Sequence, residues 1–445
     1  MSGAAEEDAP GGGQDPGIGT AQAPQPVHPL VRPPDAEVTV PGSKSLTNRA
    51  LLAAGLARGT STLTGVLDAD DTRAMVDGLR SLGVAIRTFD DRTRMAVDGV
   101  DGRPPVVGPH LEVRLSGTTA RFLGPVLARV GGTSHLDGLP PFRRRPMGET
   151  IAALRSLGCT VVEHGDPGHL PISVSGGPVD GGAVVVSGAA SSQFLSGLLL
   201  AGPAFPRGLR IEVTTPLVSA PYVDLTLDVL GWFGAEVTRP DERTFVVAGS
   251  GYRAAEVAIE PDASAASYLL AAAAITGGRV RIPGLTRASR QGDAGFAEVL
   301  ERMGAEVVVD EHGTEVRGTG TLRGVDVDLG GMSDTAQTLA VVAVFADRPT
   351  RIRGIGFIRA KETDRIAGVV TELRRLGIDA VEEPDGLVVH PARPTAGVVT
   401  TYDDHRMAMS FALLGLVVPG IRIADPACVA KTFPGYFATL EQLRR

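Results

Sequence analysis

The sequence predicts an α/β protein of two lobes with a cleft between them, and three observations lead there. A helix-stop signature recurs five times along the chain, with its glycines Gly83, Gly158, Gly234, Gly304 and Gly377 at steps of 75, 76, 70 and 73 residues. A second signature, a Ser or Asp opening an Ala/Leu-rich run, recurs six times with the same period. Hydrophobic residues make up 43% of the chain but aromatics only 4%, so the cores must be Ala, Val and Leu packed around glycine turns. Six units of roughly 70 residues group naturally as three per lobe.

The helix-stop signature reads Leu79-Arg80-Ser81-Leu82-Gly83 in its first copy and Leu154-Arg155-Ser156-Leu157-Gly158 in its second. It recurs as Leu230-Gly231-Trp232-Phe233-Gly234, Leu300-Glu301-Arg302-Met303-Gly304 and Leu373-Arg374-Arg375-Leu376-Gly377. Gly after an amphipathic run is the expected left-handed helix stop. A sixth copy would be cut off by the C-terminus, where Leu440 to Arg445 still reads as helix. The capped starts are Ser43, Ser116, Ser191, Asp262, Ser333 and Asp403, each a good N-cap type. Residues 1–28 are rich in Gly, Ala, Pro and Gln without apolar periodicity, and read as a disordered tail. The tail is acidic and has neither the apolar core of a signal peptide nor the basic character of a transit peptide.

Bulk properties exclude several classes. No charge-free apolar run reaches the ~18 residues of a membrane span. The net charge of −8 argues against nucleic acid as a partner, though a local basic cluster can still hold a small anion. Cys159 and Cys428 form no disulfide framework or metal spacing, which suits a reduced cytoplasm. Of 43 basic residues only Lys44, Lys361 and Lys431 are lysines. In a chain that uses Arg by default, a retained Lys marks a place for a compact, titratable ammonium.

The unusual residues gather at the helix starts: Pro41-Gly42-Ser43-Lys44-Ser45-Leu46-Thr47-Asn48-Arg49, Ser116-Gly117-Thr118-Thr119-Ala120-Arg121, Ser191-Ser192-Gln193, Ser333-Asp334-Thr335 and Asp403-Asp404-His405-Arg406. Helix N-termini offer unpaired N–H groups and the positive end of the dipole, and small hydroxyl residues let an anion approach. Arg143-Arg144-Arg145-Pro146, Lys361-Glu362-Thr363-Asp364-Arg365 and Ala430-Lys431-Thr432-Phe433-Pro434 add further charge. Each alone has a bland reading as a cap, a solvated turn or a surface ion pair. Asp68-Ala69-Asp70-Asp71 reads as a cap, and His405 has no second His at ligand spacing. All three lysines fall within the clusters, which favours a site for small, multiply anionic substrates.

Five of these motifs, in order from residue 41 to residue 434, resemble the 5-enolpyruvylshikimate-3-phosphate (EPSP) synthase family: Pro-Gly-Ser-Lys-Ser-x-Thr-Asn-Arg at 41–49, Ser-Ser-Gln at 191–193, Arg-Ala-Lys-Glu-Thr-Asp-Arg at 359–365, Asp-His-Arg-Met-Ala-Met at 404–409 and Ala-Lys-Thr-Phe-Pro at 430–434. The resemblance implies two inside-out α/β lobes, each of three βαβαββ units, over residues 29–41 with 261–445 and over 42–260. It implies transfer of the enolpyruvyl group of phosphoenolpyruvate to shikimate 3-phosphate with release of phosphate, through a tetrahedral intermediate, without metal or organic cofactor and by a monomer. By the same resemblance Ser45, Arg49, Ser191, Ser192, Ser219 and Lys361 hold shikimate 3-phosphate, with Tyr222 packed on its ring. Gly117, Arg145, Arg365, Arg406 and Lys431 hold phosphoenolpyruvate, while Lys44 and Gln193 face both substrates. Asp334 takes the proton of the attacking hydroxyl, Glu362 protonates the methylene carbon, and Lys44 completes the catalytic set.

The chain departs from the family pattern at Leu115 and Phe122, which flank the Gly117 motif, at Gly435, and at Phe357, where a substrate-contacting Asn is common. The departures at Leu115 and Phe357 leave room for a related enzyme acting on a modified cyclic substrate. The sister family that acts on UDP-N-acetylglucosamine carries a Cys near the Arg-rich segment, and Gly138 to Pro146 has none.

Overall fold

The computed structural model describes residues 23–90 and 92–444. Five four-stranded sheets share one plan, in which the first strand runs parallel to the second and the last two return antiparallel. In one of them, His110–Glu112 lies beside Thr133–Asp137, then Ile172–Ser175, then Thr160–Glu163 at the edge. The helices Gly117–Val126 and Gly148–Ser156 fill the crossovers, which gives the βαβαββ order.

Two sheets are completed from a distance. Glu256–Ala258 supplies the parallel first strand beside Thr60–Thr64, and Asp35–Glu37 does so beside Arg279–Pro283. The sixth sheet is the one the sequence reading left truncated. Gly397–Val399 pairs with Ile421–Ile423, and the next strand comes from the N-terminus as Gln25–Pro26. The expectation of a disordered tail therefore fails at residues 23–28. Val27 is buried, and Arg444 donates to the Pro29 carbonyl at 2.8 Å. The rest of the expected tail, residues 1–22, lies outside the described residues.

The apolar residues form two separate cores. One holds residues from Leu46 to Ile259, and the other Val27, Val38 and Val40 with residues from Ala263 to Leu443. Only two segments cross between them, and they run side by side: Ser43 N–H donates to the Glu260 carbonyl and Asp262 N–H to the Pro41 carbonyl, both at 2.9 Å. Gly42 is required there, because a Cβ would lie 1.8 Å from the Gly65 carbonyl oxygen.

The lobes are inside-out. The capped helices lie at the centre and the sheets outside. Residues 117–126, 336–343 and 405–412 are buried on every side, as are 263–274 of the helix Ala263–Thr276. A helix apolar all round belongs in an interior, and Ala-rich ones pack closely. Truncating Leu200 in such a helix to Ala would cost about 2–5 kcal/mol. The second set of helices is amphipathic and ends where the signature placed the stops, with the five glycines at φ between 71° and 105°. Two cap assignments need correction. Asp404, not Asp403, caps the helix His405–Ala412, accepting Arg406 N–H at 2.8 Å, while Asp403 adopts φ +56°. Ser333 begins a 3₁₀ turn without a side-chain cap bond.

Candidate active site

The starts of the central helices meet between the two cores. Lys44, Ser45, Arg49, Thr118, Ser192, Gln193, Ser219, Tyr222, Ser333, Asp334 and Lys361 line one cavity. A neighbouring one is lined by Leu115, Pro141, Phe142, Arg145, Glu362, Asp403 and Lys431. Both draw residues from each core.

In the first cavity, Arg49 is almost wholly buried. Its guanidinium donates to Thr226 Oγ1 at 2.8 Å, the Ser45 carbonyl at 2.9 Å and the Tyr222 carbonyl at 3.0 Å, and lies 5.1 Å from the centre of the Phe122 ring. No carboxylate pairs with it among the described residues. Burial lowers its pKa to about 10. Lys361 also forms no ion pair there; its ammonium faces the Phe357 ring at 5.9 Å. Burial brings it down to about 8, with Arg365 and Arg145 adding repulsion and Asp334 partly offsetting both. Ser219 enters its helix in the left-handed region, at φ +53°. Ser191 caps its helix by accepting Gln193 N–H at 3.3 Å and does not line the cavity.

Between the cavities lies a dense ion network. The Arg365 guanidinium reaches Asp334 at 3.0 Å, Glu362 at 2.9 Å and Asp404 at 2.8 Å. Arg406 bonds Asp334 at 2.5 Å. Glu362 also holds Lys431 at 2.7 Å and, from the other core, Arg145 at 3.4 Å. Burial pushes Asp334 up, but Arg406, Arg365, Lys361 and Lys44 together outweigh it and hold the carboxyl well below its ordinary range. Glu362 follows the same pattern, with Lys431, Arg145 and Arg365 as its cations. Both carboxylates are therefore ionised near neutral pH.

Gly117 opens its helix against two guanidiniums, since a Cβ there would sit 3.0 Å from both Arg121 Nη1 and Arg145 Nη1. Arg121 is buried, donates to Gln193 Oε1 at 2.7 Å, and stacks 4.9 Å from the centre of the Phe194 ring.

A family model described as EPSP synthase (3-phosphoshikimate 1-carboxyvinyltransferase) matches residues 31–440. The chain belongs to the EPSP synthase family. A 3-phosphoshikimate 1-carboxyvinyltransferase of a Nostoc species is 45% identical over 409 residues, spanning 92% of this chain and 96% of that protein. One from Serratia proteamaculans is 45% identical over 413 residues, spanning 92% and 95%. Among solved structures, EPSP synthase from Acinetobacter baumannii superposes with a TM-score of 0.79 at 27% identity, covering 95% of this chain and 98% of that one. The enolpyruvyl transferase NikO from Streptomyces tendae gives 0.73 at 19% identity over 94% and 97%, a likeness of fold. The chain is thus an enzyme of a family that works on small molecules, and no helix among its described residues is long and apolar enough to cross a membrane.

Sequence reasoning missed several residues of this cleft. Asp71, read as a cap, pairs with Lys44 at 3.2 Å, while Ala69 takes the cap position. Asp404 anchors Arg365, and Asn48 donates to Thr118 Oγ1 at 2.7 Å. All three sit inside or beside motifs already singled out, so their position was a signal. Asp293, Ser264 and Tyr268 lie outside the motifs used, and nothing local marked them. Of the arginine triplet, Arg145 faces the cleft, while Arg143 pairs with Asp137 at the surface.

Proposed function

We propose that the two cavities hold the two substrates of enolpyruvyl transfer. Shikimate 3-phosphate occupies the first, held by Lys44, Ser45, Arg49, Ser192, Gln193, Ser219 and Lys361, with Tyr222 against its ring and Ser191 supporting the helix start from its cap position. Phosphoenolpyruvate enters by the second, between Arg145 and Lys431, and extends toward Lys44, Gly117, Gln193, Arg365 and Arg406 between the two. The observation that carries the reading is that Asp334 and Glu362 flank one guanidinium, Arg365, at 3.0 and 2.9 Å, between the cavities. Two carboxylates placed so can serve opposite ends of one addition.

The substrates themselves retune these carboxylates. Anions arriving at Lys44 and Lys361 draw cationic charge away from Asp334 and make it a better base. Phosphate and carboxylate groups on Lys431 and Arg145 do the same for Glu362, so that it can carry a proton. The 5-hydroxyl oxygen then bonds to the central carbon of phosphoenolpyruvate, its proton passes to Asp334, and Glu362 protonates the methylene carbon. Glu362, left as a carboxylate, then takes a methyl proton back, and the double bond re-forms as the C–O bond to phosphate breaks and phosphate leaves. The arginines and lysines stabilise the charge that builds on the leaving phosphate.

The lobes 29–41 with 261–445 and 42–260 would close over the substrates about Pro41–Ser43 and Glu260–Asp262. The chain acts on this reading as a cytoplasmic monomer without a nucleic-acid partner. Phosphate release tests the assignment: phosphoenolpyruvate with shikimate 3-phosphate should release it, and phosphoenolpyruvate with UDP-N-acetylglucosamine should not. Silence with the first pair would sink the reading. Asp334→Asn should lower kcat by about 10²–10⁴-fold with the fold retained.

A further inference from the structure

Asp293 is a buried carboxyl on the turn Gly292–Gly295, one side chain away from Asp334. The Tyr222 hydroxyl points at both. It lies 3.3 Å from Oδ2 of Asp293 and 3.4 Å from Oδ2 of Asp334, and its single proton cannot serve both fully. A second path runs through Ser264, whose hydroxyl donates to Asp293 Oδ2. Nη2 of Arg406 is 3.5 Å from the Ser264 oxygen and 2.5 Å from Asp334. Oδ1 of Asp293 is buried without a hydrogen-bond partner.

The groups facing Asp293 are unevenly matched. Asp334 comes from the turn Ser333–Thr335, Arg406 from the helix His405–Ala412, Tyr222 from Ala220–Trp232, and Asp262 caps the helix of Ser264. Arg406 is committed to Asp334, and no cation lies within ion-pair distance of Asp293 among the described residues. Burial first, and the Asp334 charge second, push the Asp293 carboxyl up to about 7.

We propose that Asp293 is a positioning residue for this reaction, whose charge state sets the strength of Asp334 as a base through the shared Tyr222 hydroxyl and through Ser264 and Arg406. When ionised, Asp293 adds negative potential beside Asp334 and draws the Tyr222 proton to itself. Asp334, with less hydrogen bonding and more repulsion, then takes the substrate proton more readily. When neutral, Asp293 leaves the Tyr222 proton to Asp334, which is then the weaker base. Asp293 neither touches substrate nor makes or breaks a bond in the transfer. The inference rests on reading Asp334 as the base.

The test is Asp293→Asn, isosteric and permanently neutral. The pH dependence of kcat/KM, which reports the groups of the free enzyme, is followed between about pH 5.5 and 9, with kcat and KM also taken separately at high pH. The wild type should lose turnover as pH falls through about 7. Asp293→Asn should lack that limb and run about tenfold below wild type at high pH, equivalent to about one pKa unit in the base, with the KM for phosphoenolpyruvate unchanged. A variant with wild-type rate and profile overturns the proposal. So does one that loses activity at every pH in proportion to a lowered melting temperature, which marks a merely structural role. If Asp293→Asn does not fold, Ser264→Ala keeps the carboxyl and cuts one path, and the limb should move; an unmoved limb counts against the proposal. An active Asp334→Asn removes the base assignment and this inference with it. An inactive Asp334→Asn beside an unaltered Asp293→Asn removes the inference alone.

Discussion

On the wall of the cleft built from residues 42–260, Arg49 and Arg121 are buried against hydroxyls, carbonyls, an amide and aromatic rings, with no carboxylate in an ion pair. On the facing wall, Arg365, Arg406 and Lys431 each hold Asp334, Glu362 or Asp404 at 2.5–3.0 Å. Desolvating a cation without a counter-ion costs free energy that hydrogen bonds only partly return. A chain keeps such a group where an anion from outside completes it. The paired wall is neutral within itself, so its cations act first on the carboxylates beside them. On the proposed assignment one wall is a receptor and the other an acid–base unit. Lys44 joins the two: its ammonium reaches Asp71 on its own wall, and its backbone N–H donates to Asp262 at 3.0 Å.

Replacing Arg49 breaks this contrast most severely. Arg49→Met keeps the apolar stem against Phe122 and removes the uncompensated charge. The melting temperature without substrate should rise or hold, while the KM for shikimate 3-phosphate climbs by about 30-fold or more, as expected for losing a charge-assisted contact of roughly 2 kcal/mol. Thermal melts and steady-state kinetics on the same preparation check both halves. A fall in stability with an unchanged KM would make Arg49 a structural residue. The same exchange on the paired wall, Arg365→Met, should be destabilising, because it strands Asp404 in the interior.

The sequence carried this contrast only in part. The repeat was legible because its punctuation is local: a cap residue, an apolar run, and a glycine that tolerates positive φ. The clustering of lysines and arginines was legible because the same helix starts that repeat also converge. The pairing pattern was not, since it depends on side chains brought together across more than 200 residues, such as Arg145 with Glu362. Asp71 looked like a cap because a carboxylate at a helix start usually is one. Asp293 had no local mark at all, because its significance comes from Tyr222 and Ser264, which lie 71 and 29 residues away. The strand Gln25–Pro26 escaped for a similar reason: two residues in a Pro-rich stretch show no periodicity, and only Ile421–Ile423 makes them a strand.

A smaller effect separates the two walls by pH. Lys361 lies on the acid–base side yet behaves as a receptor, with burial bringing its pKa to about 8. A depressed lysine is protonated below that value and neutral above it. Affinity for the 3-phosphate partner should therefore hold below pH 8 and weaken above it, by about tenfold per unit at the steepest. Lys361→Arg keeps its charge across the range, so this limb should vanish even if the wider guanidinium raises KM overall. Measuring the KM for shikimate 3-phosphate from neutral to alkaline pH in both proteins decides it. Parallel curves would assign the limb to another group.

The mildest test is at Gly117, where the two walls touch through Arg145. A methyl group at this position lies 3.0 Å from the Nη1 atoms of Arg121 and Arg145, closer than ordinary contact but against the ends of flexible side chains. The guanidiniums can give way by a few tenths of an ångström, so Gly117→Ala should fold normally. The displacement falls on the Arg145 arm that reaches Glu362 at 3.4 Å and on the cavity proposed for phosphoenolpyruvate. Its KM should rise several-fold, on the order of 1 kcal/mol, while the KM for shikimate 3-phosphate and the Arg49 pocket stay as they were. Equal changes in both constants would mean that the cavities share one set of cations, and the division between a receptor wall and an acid–base wall would have to be redrawn around Arg145.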